Sequence, residues 1–210
     1  MIIASRGRLL VLAAPSGAGK TSLVHALLER IPILRFSISC TTRPRRSSEI
    51  DGVDYFFVSD EEFQRMVKQG EFLEYAEVFD HWYGTGRRHV EQLLENGHSV
   101  VLELDWQGAR KLRESAPEAL NVFILPPSLE ELERRLRGRG TDSKATIERR
   151  LEDALSDMHH WSEFDYALIN DDLDRASDDL AAIATGQGDA HLTSAAPLRA
   201  RIAEILGNQS

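Results

Sequence analysis

The sequence predicts an α/β fold in which helices cover both faces of a parallel sheet. Short apolar segments predict the strands, and they occupy residues 9–13, 34–39, 99–104, 121–125 and 166–169. Helical patterns separate these segments, and this alternation is typical of parallel sheets. Ser59 and Ser128 are each followed three residues later by a glutamate, a capping-box pattern that predicts a helix N-terminus at each serine.

The first strand leads into a small-residue loop and a helix, which together form a P-loop pattern. Residues 14–19 are small, and Lys20 and Thr21 open the helical pattern that follows. In such a loop, backbone N–H groups bind phosphate, the lysine reaches the terminal phosphates and the threonine hydroxyl ligates Mg²⁺. Ala14 stands where the strict pattern has glycine, and a small residue with ordinary backbone angles serves there. The segment predicts a bound nucleoside triphosphate; the alternative is an ordinary glycine-rich turn.

Residues 40–85 interrupt the alternation and predict a small α+β insertion. Two aromatic segments, 55–58 and 72–79, are interpreted as short strands around a helix over residues 60–69. The insertion opens with an arginine cluster, which consists of Arg43, Arg45 and Arg46. Guanidinium groups suit bidentate contacts to a phosphate, so this loop is a candidate phosphate site.

Two acidic residues mark the end of the strand over residues 99–104, which follows a helix predicted over residues 88–96. Glu103 and Asp105 stand at that strand end, where an acidic residue fits the Walker-B position near Mg²⁺. Asp105 with Gly108 also matches a GTPase switch pattern. The chain has no Asn-Lys-x-Asp sequence to read guanine in the GTPase manner, which disfavours a GTPase.

Residues 127–160 predict a pair of helices joined by a mobile, exposed segment over residues 137–142, which holds two glycines and no apolar residue. Basic residues cluster around this joint, and they are Arg134, Arg135, Arg137, Arg139, Lys144, Arg149 and Arg150. Arginines that close over a P-loop stabilise the charge that develops in phosphoryl transfer and exclude water. The alternative is a solvated helix face whose arginines pair with glutamates at helical spacing.

Composition excludes several classes of protein. The net charge of −9 disfavours binding to a nucleic-acid polymer, and no apolar run approaches the roughly 20 residues of a membrane span. Cys40 is the single cysteine, so an internal disulfide is excluded and a reducing, cytoplasmic location is expected. In the tail, residues 186–189 resemble a linker and residues 195–206 predict a last helix. The oligomeric state is left open.

Eight motifs together resemble those of bacterial guanylate kinases. They are Ala14-Pro15-Ser16-Gly17-Ala18-Gly19-Lys20, Ser39-x-x-Thr42-Arg43, Glu49-x-x-Gly52-x-Asp54-Tyr55, Phe72-Leu73-Glu74-Tyr75-Ala76, Tyr83-Gly84-Thr85, Leu104-Asp105-Trp106-Gln107-Gly108, Phe123-Ile124-Leu125-Pro126-Pro127-Ser128 and Arg135-Leu136-x-x-Arg139-Gly140. The resemblance extends from about residue 8 to about residue 183. It implies a P-loop kinase unit over residues 7–185 that transfers the γ-phosphate of ATP to GMP, with Mg²⁺ bound beside ATP, giving ADP and GDP.

The resemblance also implies the roles of individual residues. ATP would be bound by Ala14, Pro15, Ser16, Gly17, Ala18, Gly19, Lys20, Thr21, Ser22 and Asn170. GMP would be bound by Ser39, Arg43, Arg46, Tyr55, Glu74, Tyr83, Thr85 and Asp105. The catalytic residues would be Lys20, Arg135, Arg139 and Arg150. Mg²⁺ would be held by Thr21, with Glu103 and Asp105 acting through water.

The same resemblance implies a division of the chain by function. The P-loop core would comprise residues 1–39, 86–126 and 161–185, the GMP-binding insertion 40–85, the helical lid 127–160 and the tail 186–210. Guanine offers two adjacent hydrogen-bond donors that adenine lacks, so Glu74 and Asp105 would select it. Arg46 keeps the family spacing from Arg43, but Arg45 is a competing candidate for the GMP phosphate.

Two further classes stand as alternatives. One is a guanylate-kinase-like interaction module that binds peptides without catalysis, and the intact Lys20 and Thr21 disfavour it. The other is a related P-loop kinase of a small molecule such as a sugar phosphate, which would not need Glu74 together with Asp105.

Overall fold

The computed structural model describes residues 7–78, 80–138 and 144–207, and its chain divides into two compact units. Unit 1 comprises Ile33–Ala119 together with the described residues up to Leu10. Unit 2 comprises Val11–Pro32 and the described residues from Leu120 onward. The predicted insertion over residues 40–85 falls in unit 1, and the predicted lid over residues 127–160 falls in unit 2.

The described residues form a mixed α/β structure with a mainly parallel central sheet, as predicted. The strands are β1 (Leu9–Ala13), β2 (Leu34–Phe36), β3 (Cys40–Thr41), β4 (Phe56–Phe57), β5 (Phe72–Val78), β6 (His81–Gly86), β7 (Ser99–Leu104), β8 (Leu120–Leu125) and β9 (Tyr166–Ile169). The α-helices are α1 (Lys20–Arg30), α2 (Asp60–Lys68), α3 (Arg87–Glu95), α4 (Trp106–Ser115), α5 (Leu129–Arg137), α6 (Lys144–Met158), α7 (Leu173–Thr185) and α8 (Ala196–Ile205). The strand orders are β2-β7-β1-β8-β9 in the central sheet and β4-β3-β6-β5 in a second sheet.

Unit 1 contains both parallel and antiparallel pairing. β2 pairs in parallel with β7, on which α3 and α4 pack. In the second sheet β3 is parallel to β4, while β6 is antiparallel to both β3 and β5. Phe63 of α2 is fully buried and stacks on Phe72 and Trp82, with ring centroids 4.6 Å and 6.0 Å away. This is the α+β structure predicted for residues 40–85.

Unit 2 carries the parallel pair β8 and β9, and α1 packs against α7. The Ser128 side chain accepts a hydrogen bond from the Glu131 N–H at the start of α5, which confirms the predicted cap. The predicted tail helix is present as α8 and buries Ile202 and Ile205. None of the helices in the described residues is long and apolar enough to cross a membrane.

Three expectations about local structure are wrong. The strand predicted over residues 34–39 ends at Phe36, because Ser39 already bonds to β4: its carbonyl accepts the Phe56 N–H at 2.9 Å. The strands β3 and β6 lie in segments to which no strand was assigned. Residues 186–189 are not a linker: Gly188 is buried, and a Cβ there would lie 2.6 Å from Ile183 Cγ1, so glycine permits close packing against α7.

Candidate active site

The loop after β1 delivers the N-terminus of α1 without a side-chain cap. Gly19 is the N-cap residue, it makes no side-chain capping bond, and the first turn of α1 carries no acidic residue. α2, α4, α5 and α7 each begin with a side chain that accepts a backbone N–H, that of Ser59, Asp105, Ser128 and Asp172 respectively, whereas α1, α3 and α8 have no such cap. An uncapped helix N-terminus after a glycine-rich loop suits phosphate oxygens, and Lys20 and Thr21 are the first two residues of that helix.

The backbone of this loop requires glycine at two positions. Gly17 and Gly19 have φ angles of 92° and 91°, in the left-handed region that side chains rarely adopt. Among the residues that the structure describes, Asp80 is the only one other than glycine that has a positive φ. Ala14 therefore has an ordinary, negative φ. Ala14 therefore fits the loop, as the sequence predicts.

Asn170 and Arg135 converge on the carbonyl oxygen of Ala18. Asn170 Nδ2 donates to this oxygen at 2.8 Å, and Arg135 Nη1 donates to it at 3.3 Å. Arg135 Nη2 also donates to the Asn170 carbonyl at 3.0 Å. Asn170 is 5% exposed, and a Cβ at Gly19 would overlap its amide nitrogen. The structure thus brings predicted ATP-site residues together, and the Asn170 side chain braces the loop.

The arginines of α5 pair with glutamates one turn earlier, as in the alternative interpretation of this cluster. Glu131 lies 2.7 Å from Arg135 and 2.6 Å from Arg134, and their hydrogen bonds lower its pKa to about 2. Arg137 pairs likewise with Glu133 at 2.6 Å. Arg135 combines this pairing with its contact to the loop, so both interpretations hold for that residue. The spacing of four residues between Glu131 and Arg135 is the signal that could have assigned Glu131 to the site.

The remaining lid residues are less completely described. Arg150 lies on α6, the helix that packs against α5. Arg139 and residues 140–142 of the joint lie outside the described residues.

In unit 1, Arg43 is held by a carboxylate to which the sequence analysis gave no role. Arg43 Nη2 donates to Glu49 Oε1 at 2.7 Å and Nη1 donates to Oε2 at 3.1 Å, with both side chains largely buried. This pairing raises the pKa of Arg43 and lowers that of Glu49. The Arg43 guanidinium lies 5.5 Å from the Tyr55 ring centroid, and the Tyr83 ring lies 6.0 Å from that of Tyr55. The structure therefore places Tyr55 and Tyr83, two residues predicted to bind GMP, beside the fixed guanidinium of Arg43.

Arg45 and Arg46 contact different atoms of Glu49. Arg45 Nη1 donates to the Glu49 backbone carbonyl at 2.8 Å. Arg46 donates its backbone N–H to Glu49 Oε2 at 2.8 Å, while its guanidinium lies 3.9 Å from Oε1 and its side chain is 61% exposed. The guanidinium of Arg46 is thus the less tightly held of the two.

A second group in unit 1 consists of buried polar side chains. Glu74 of β5 and Thr85 of β6 are cross-strand partners, and Thr85 Oγ1 donates to Glu74 Oε1 at 2.6 Å. Glu74 is 6% exposed and Thr85 is fully buried. Burial is the main cause that raises the pKa of Glu74 to about 7, and the nearby charge of Asp105 adds to it. Asp105 in turn accepts the Gly108 N–H at 2.8 Å.

Strand β6 connects the two groups of unit 1. Tyr83 belongs to the Arg43 group and Thr85 to the Glu74 group, and residues two apart on a strand face the same side. Ser39 immediately precedes β3, the strand that pairs with β6. Every residue predicted to bind GMP thus lies in unit 1, whereas every residue predicted to bind ATP lies in unit 2.

An oxygen donor at the start of α1 suits a magnesium ion that is held mainly by a substrate. Within the described residues, no group of three or more His, Cys, Asp or Glu side chains could hold a metal. Mg²⁺ usually binds through one or two protein oxygens, several waters and the phosphates of the substrate. The hydroxyl of Thr21 at the start of α1 is an oxygen of that kind.

A family model, curated relatives and a solved structure identify one family. A family model described as guanylate kinase matches residues 6–186. The guanylate kinase of Alkalilimnicola ehrlichii is 56% identical over 179 residues, which are 85% of this chain and 88% of that protein. The guanylate kinase of Methylococcus capsulatus is 50% identical over 97% of this chain and its own full length. A crystal structure of guanylate kinase from Anaplasma phagocytophilum matches with a TM-score of 0.74 at 33% identity, covering 97% of each chain.

Proposed function

The chain belongs to the guanylate kinase family, and on this premise we propose how its residues divide the transfer of phosphate from ATP to GMP between them. Unit 2 binds ATP, and unit 1 binds GMP. A phosphate oxygen of GMP attacks the γ-phosphorus in line, and the new P–O bond forms as the bond to the ADP oxygen breaks. The products are ADP and GDP.

The assignment of the acceptor rests on one observation, the buried carboxylate of Glu74 with Asp105 nearby. Guanine presents N1–H and an exocyclic amine side by side, and two carboxylate groups accept these donors. Adenine has an acceptor at N1, so it would leave a buried carboxylate unpaired at a cost of about 1–3 kcal/mol or more. Thr85 holds Glu74 in place and, with Ser39, lies at the O6 edge of the base.

The phosphate of GMP binds to the Arg43 group. Arg43 is oriented by Glu49 before any ligand arrives, and Tyr55 and Tyr83 supply hydroxyl donors. The exposed guanidinium of Arg46 favours this residue over Arg45 as the second arginine, because the Arg45 guanidinium is already bonded to a backbone carbonyl. Each guanidinium can bind a phosphate through two parallel N–H···O hydrogen bonds.

ATP binds with its phosphates on the uncapped N-terminus of α1. Lys20 stabilises the negative charge that develops as the γ-phosphate leaves ADP, and the residues 14–22 supply backbone donors. Arg135, Arg139 and Arg150 add positive charge around the moving phosphate. Asn170 supports the ATP site through the Ala18 carbonyl.

Magnesium would neutralise phosphate charge when bound. The Thr21 hydroxyl would hold the ion directly, and Glu103 and Asp105 would contact it through water. All other steps are assigned to the side chains of this chain. They bind and orient the two nucleotides and, with the lid, exclude water that would otherwise accept the phosphate.

A coupled assay of ADP release tests this function with GMP, AMP, UMP or no acceptor. ADP release that requires GMP is the expected result. Equal release without an acceptor would indicate a nucleotide hydrolase, and no release with any acceptor would favour an interaction module. Activity on a sugar phosphate but not on GMP would indicate a different small-molecule kinase.

A further inference from the structure

We propose that Gly108 determines the base specificity of the acceptor site, because its missing side chain leaves the space in which the carboxylates of Glu74 and Asp105 meet the same edge of guanine. This inference rests on the proposed recognition of guanine by these two carboxylates. Gly108 closes the motif over residues 104–108, but the resemblance does not imply that it contacts either nucleotide.

The carboxylates of Glu74 and Asp105 border the space in which a side chain at position 108 would lie. A Cβ at this position would lie 2.9 Å from Glu74 Oε2 and 3.0 Å from Asp105 Oδ1, and 3.6 Å from Glu74 Cδ. These are the three nearest heavy atoms, and two of the distances are at or below the limit that real Cβ atoms tolerate. A side chain at position 108 would therefore press directly on both groups that the base contacts.

Backbone conformation does not explain the glycine. Gly108 lies in the first turn of α4 and is not among the glycines with positive φ, so alanine could adopt its conformation. Its N–H donates to Asp105 Oδ1, and alanine would keep this donor. Glycine is also one of the poorest residues for a helix. What glycine alone provides at this position is space.

The two carboxylates have little freedom to retreat from an added methyl group. Glu74 is 6% exposed and accepts the Thr85 hydroxyl at 2.6 Å. Asp105 is engaged as the N-cap of α4 at 2.8 Å. A Cβ at 108 would shift at least one carboxylate and break its alignment with the donors of guanine.

The variant Gly108→Ala tests this inference in the full-length enzyme. We expect the KM for GMP to rise about tenfold to hundredfold, the effect of losing one charge-assisted hydrogen bond. We expect kcat and the KM for ATP to change less than about threefold, because these carboxylates bind the base and not the moving phosphate. The preference for GMP over IMP, which lacks the exocyclic amine, should fall with the loss of GMP affinity.

A matched glycine provides the control. Gly86 has a φ of −64°, and a Cβ there meets nothing within 4 Å, so Gly86→Ala should keep the wild-type KM for GMP and the wild-type preference over IMP. A loss in Gly108→Ala that affects kcat and both KM values alike would assign the glycine to folding and overturn the inference. An unchanged preference for GMP over IMP would overturn it as well.

A double-mutant cycle with Glu74→Ala separates this inference from the proposed function. If Gly108→Ala acts by displacing the Glu74 carboxylate, it should raise the KM for GMP by a factor that is at least about threefold smaller in the Glu74→Ala background than in the wild type. An undiminished effect in that background would overturn the inference. If Glu74→Ala raises the KM for GMP but Gly108→Ala does not, the inference fails and the proposed guanine site stands. If Glu74→Ala leaves GMP use unchanged, the proposed guanine site itself is wrong, and the inference falls with it.

Discussion

Replacing Glu74 by glutamine should stabilise the empty protein and weaken GMP binding at the same time. The side chain is 6% exposed, and burial is the main cause that raises its pKa from 4.5 to about 7. A change of one in pKa corresponds to about 1.4 kcal/mol, so keeping this carboxylate ionised in the folded protein costs roughly 3 kcal/mol above neutral pH. A neutral glutamine avoids that cost.

The sign of the pH dependence follows from proton uptake. Between the unfolded pKa of 4.5 and the folded pKa of about 7, the folded protein holds a proton that the unfolded chain releases. The contribution of Glu74 to the free energy of unfolding is therefore most favourable below pH 4.5 and is lost as the pH rises toward 7. The glutamine variant lacks this dependence, so its advantage over the wild type grows between pH 4.5 and about 7 and is complete above neutral pH.

GMP binding should change in the opposite direction. The ionised carboxylate accepts the donors of guanine, whereas the glutamine amide places a donor of its own against them. The KM for GMP should rise about tenfold to hundredfold in the variant, and discrimination against AMP should relax. In the wild type, the KM for GMP should fall as the pH rises through about 7, because Glu74 then ionises.

Two measurements check these effects. Urea unfolding at about pH 5 and about pH 8 compares stability, and steady-state kinetics over the same range gives the KM for GMP. Glu77→Gln is the control, because Glu77 lies exposed on the same strand, β5. A Glu74→Gln protein that is no more stable than the wild type at about pH 8, and that keeps the wild-type KM for GMP, would refute the reasoning.

Three further predictions concern the other residues of the two sites. Lys20→Ala should abolish turnover while circular dichroism and melting temperature stay near those of the wild type, because Lys20 acts on charge that develops in the transition state; a near-normal rate would contradict the mechanism. Glu49→Gln should raise the KM for GMP about tenfold with kcat less affected, since Arg43 loses its charged partner, and an unchanged KM would show that Arg43 needs no orientation. Asn170→Ala should raise the KM for ATP severalfold by releasing the Ala18 carbonyl, measured at saturating GMP; a wild-type KM for ATP would show that the brace is dispensable.

The sequence predicts the core strands well but only two of the four strands of the second sheet, for a physical reason. The strands β1, β7 and β9 coincide with apolar runs, because strands buried on both faces must be apolar throughout. β6 contains Gly84 and Gly86, which weaken a strand pattern, and β3 has only two residues, too few to show a periodicity.

In the candidate site, likewise, some residues can be predicted from sequence motifs, whereas others are recognised only from their contacts in the structure. The phosphate loop and the arginines can be predicted because their function requires particular residue types at a fixed spacing. Glu49 and Glu131, which hold arginines of the site, look like ordinary surface acids until their partners are located. Gly108 matters through a side chain that it lacks, and only coordinates reveal what occupies that space.

The position of Tyr83 and Thr85 on one strand has a consequence for which acceptors the protein accepts. An extended strand is nearly inextensible, and two residues along it span about 7 Å whatever is bound. If the GMP phosphate binds beside Tyr83 and the base beside Thr85, as proposed, β6 fixes the distance between the two contacts. We expect that GDP, which is longer by one phosphate, would be unable to keep its base at Thr85 and its terminal phosphate at Tyr83 together. GDP should therefore not serve as the next acceptor, and phosphorylation should stop after a single step.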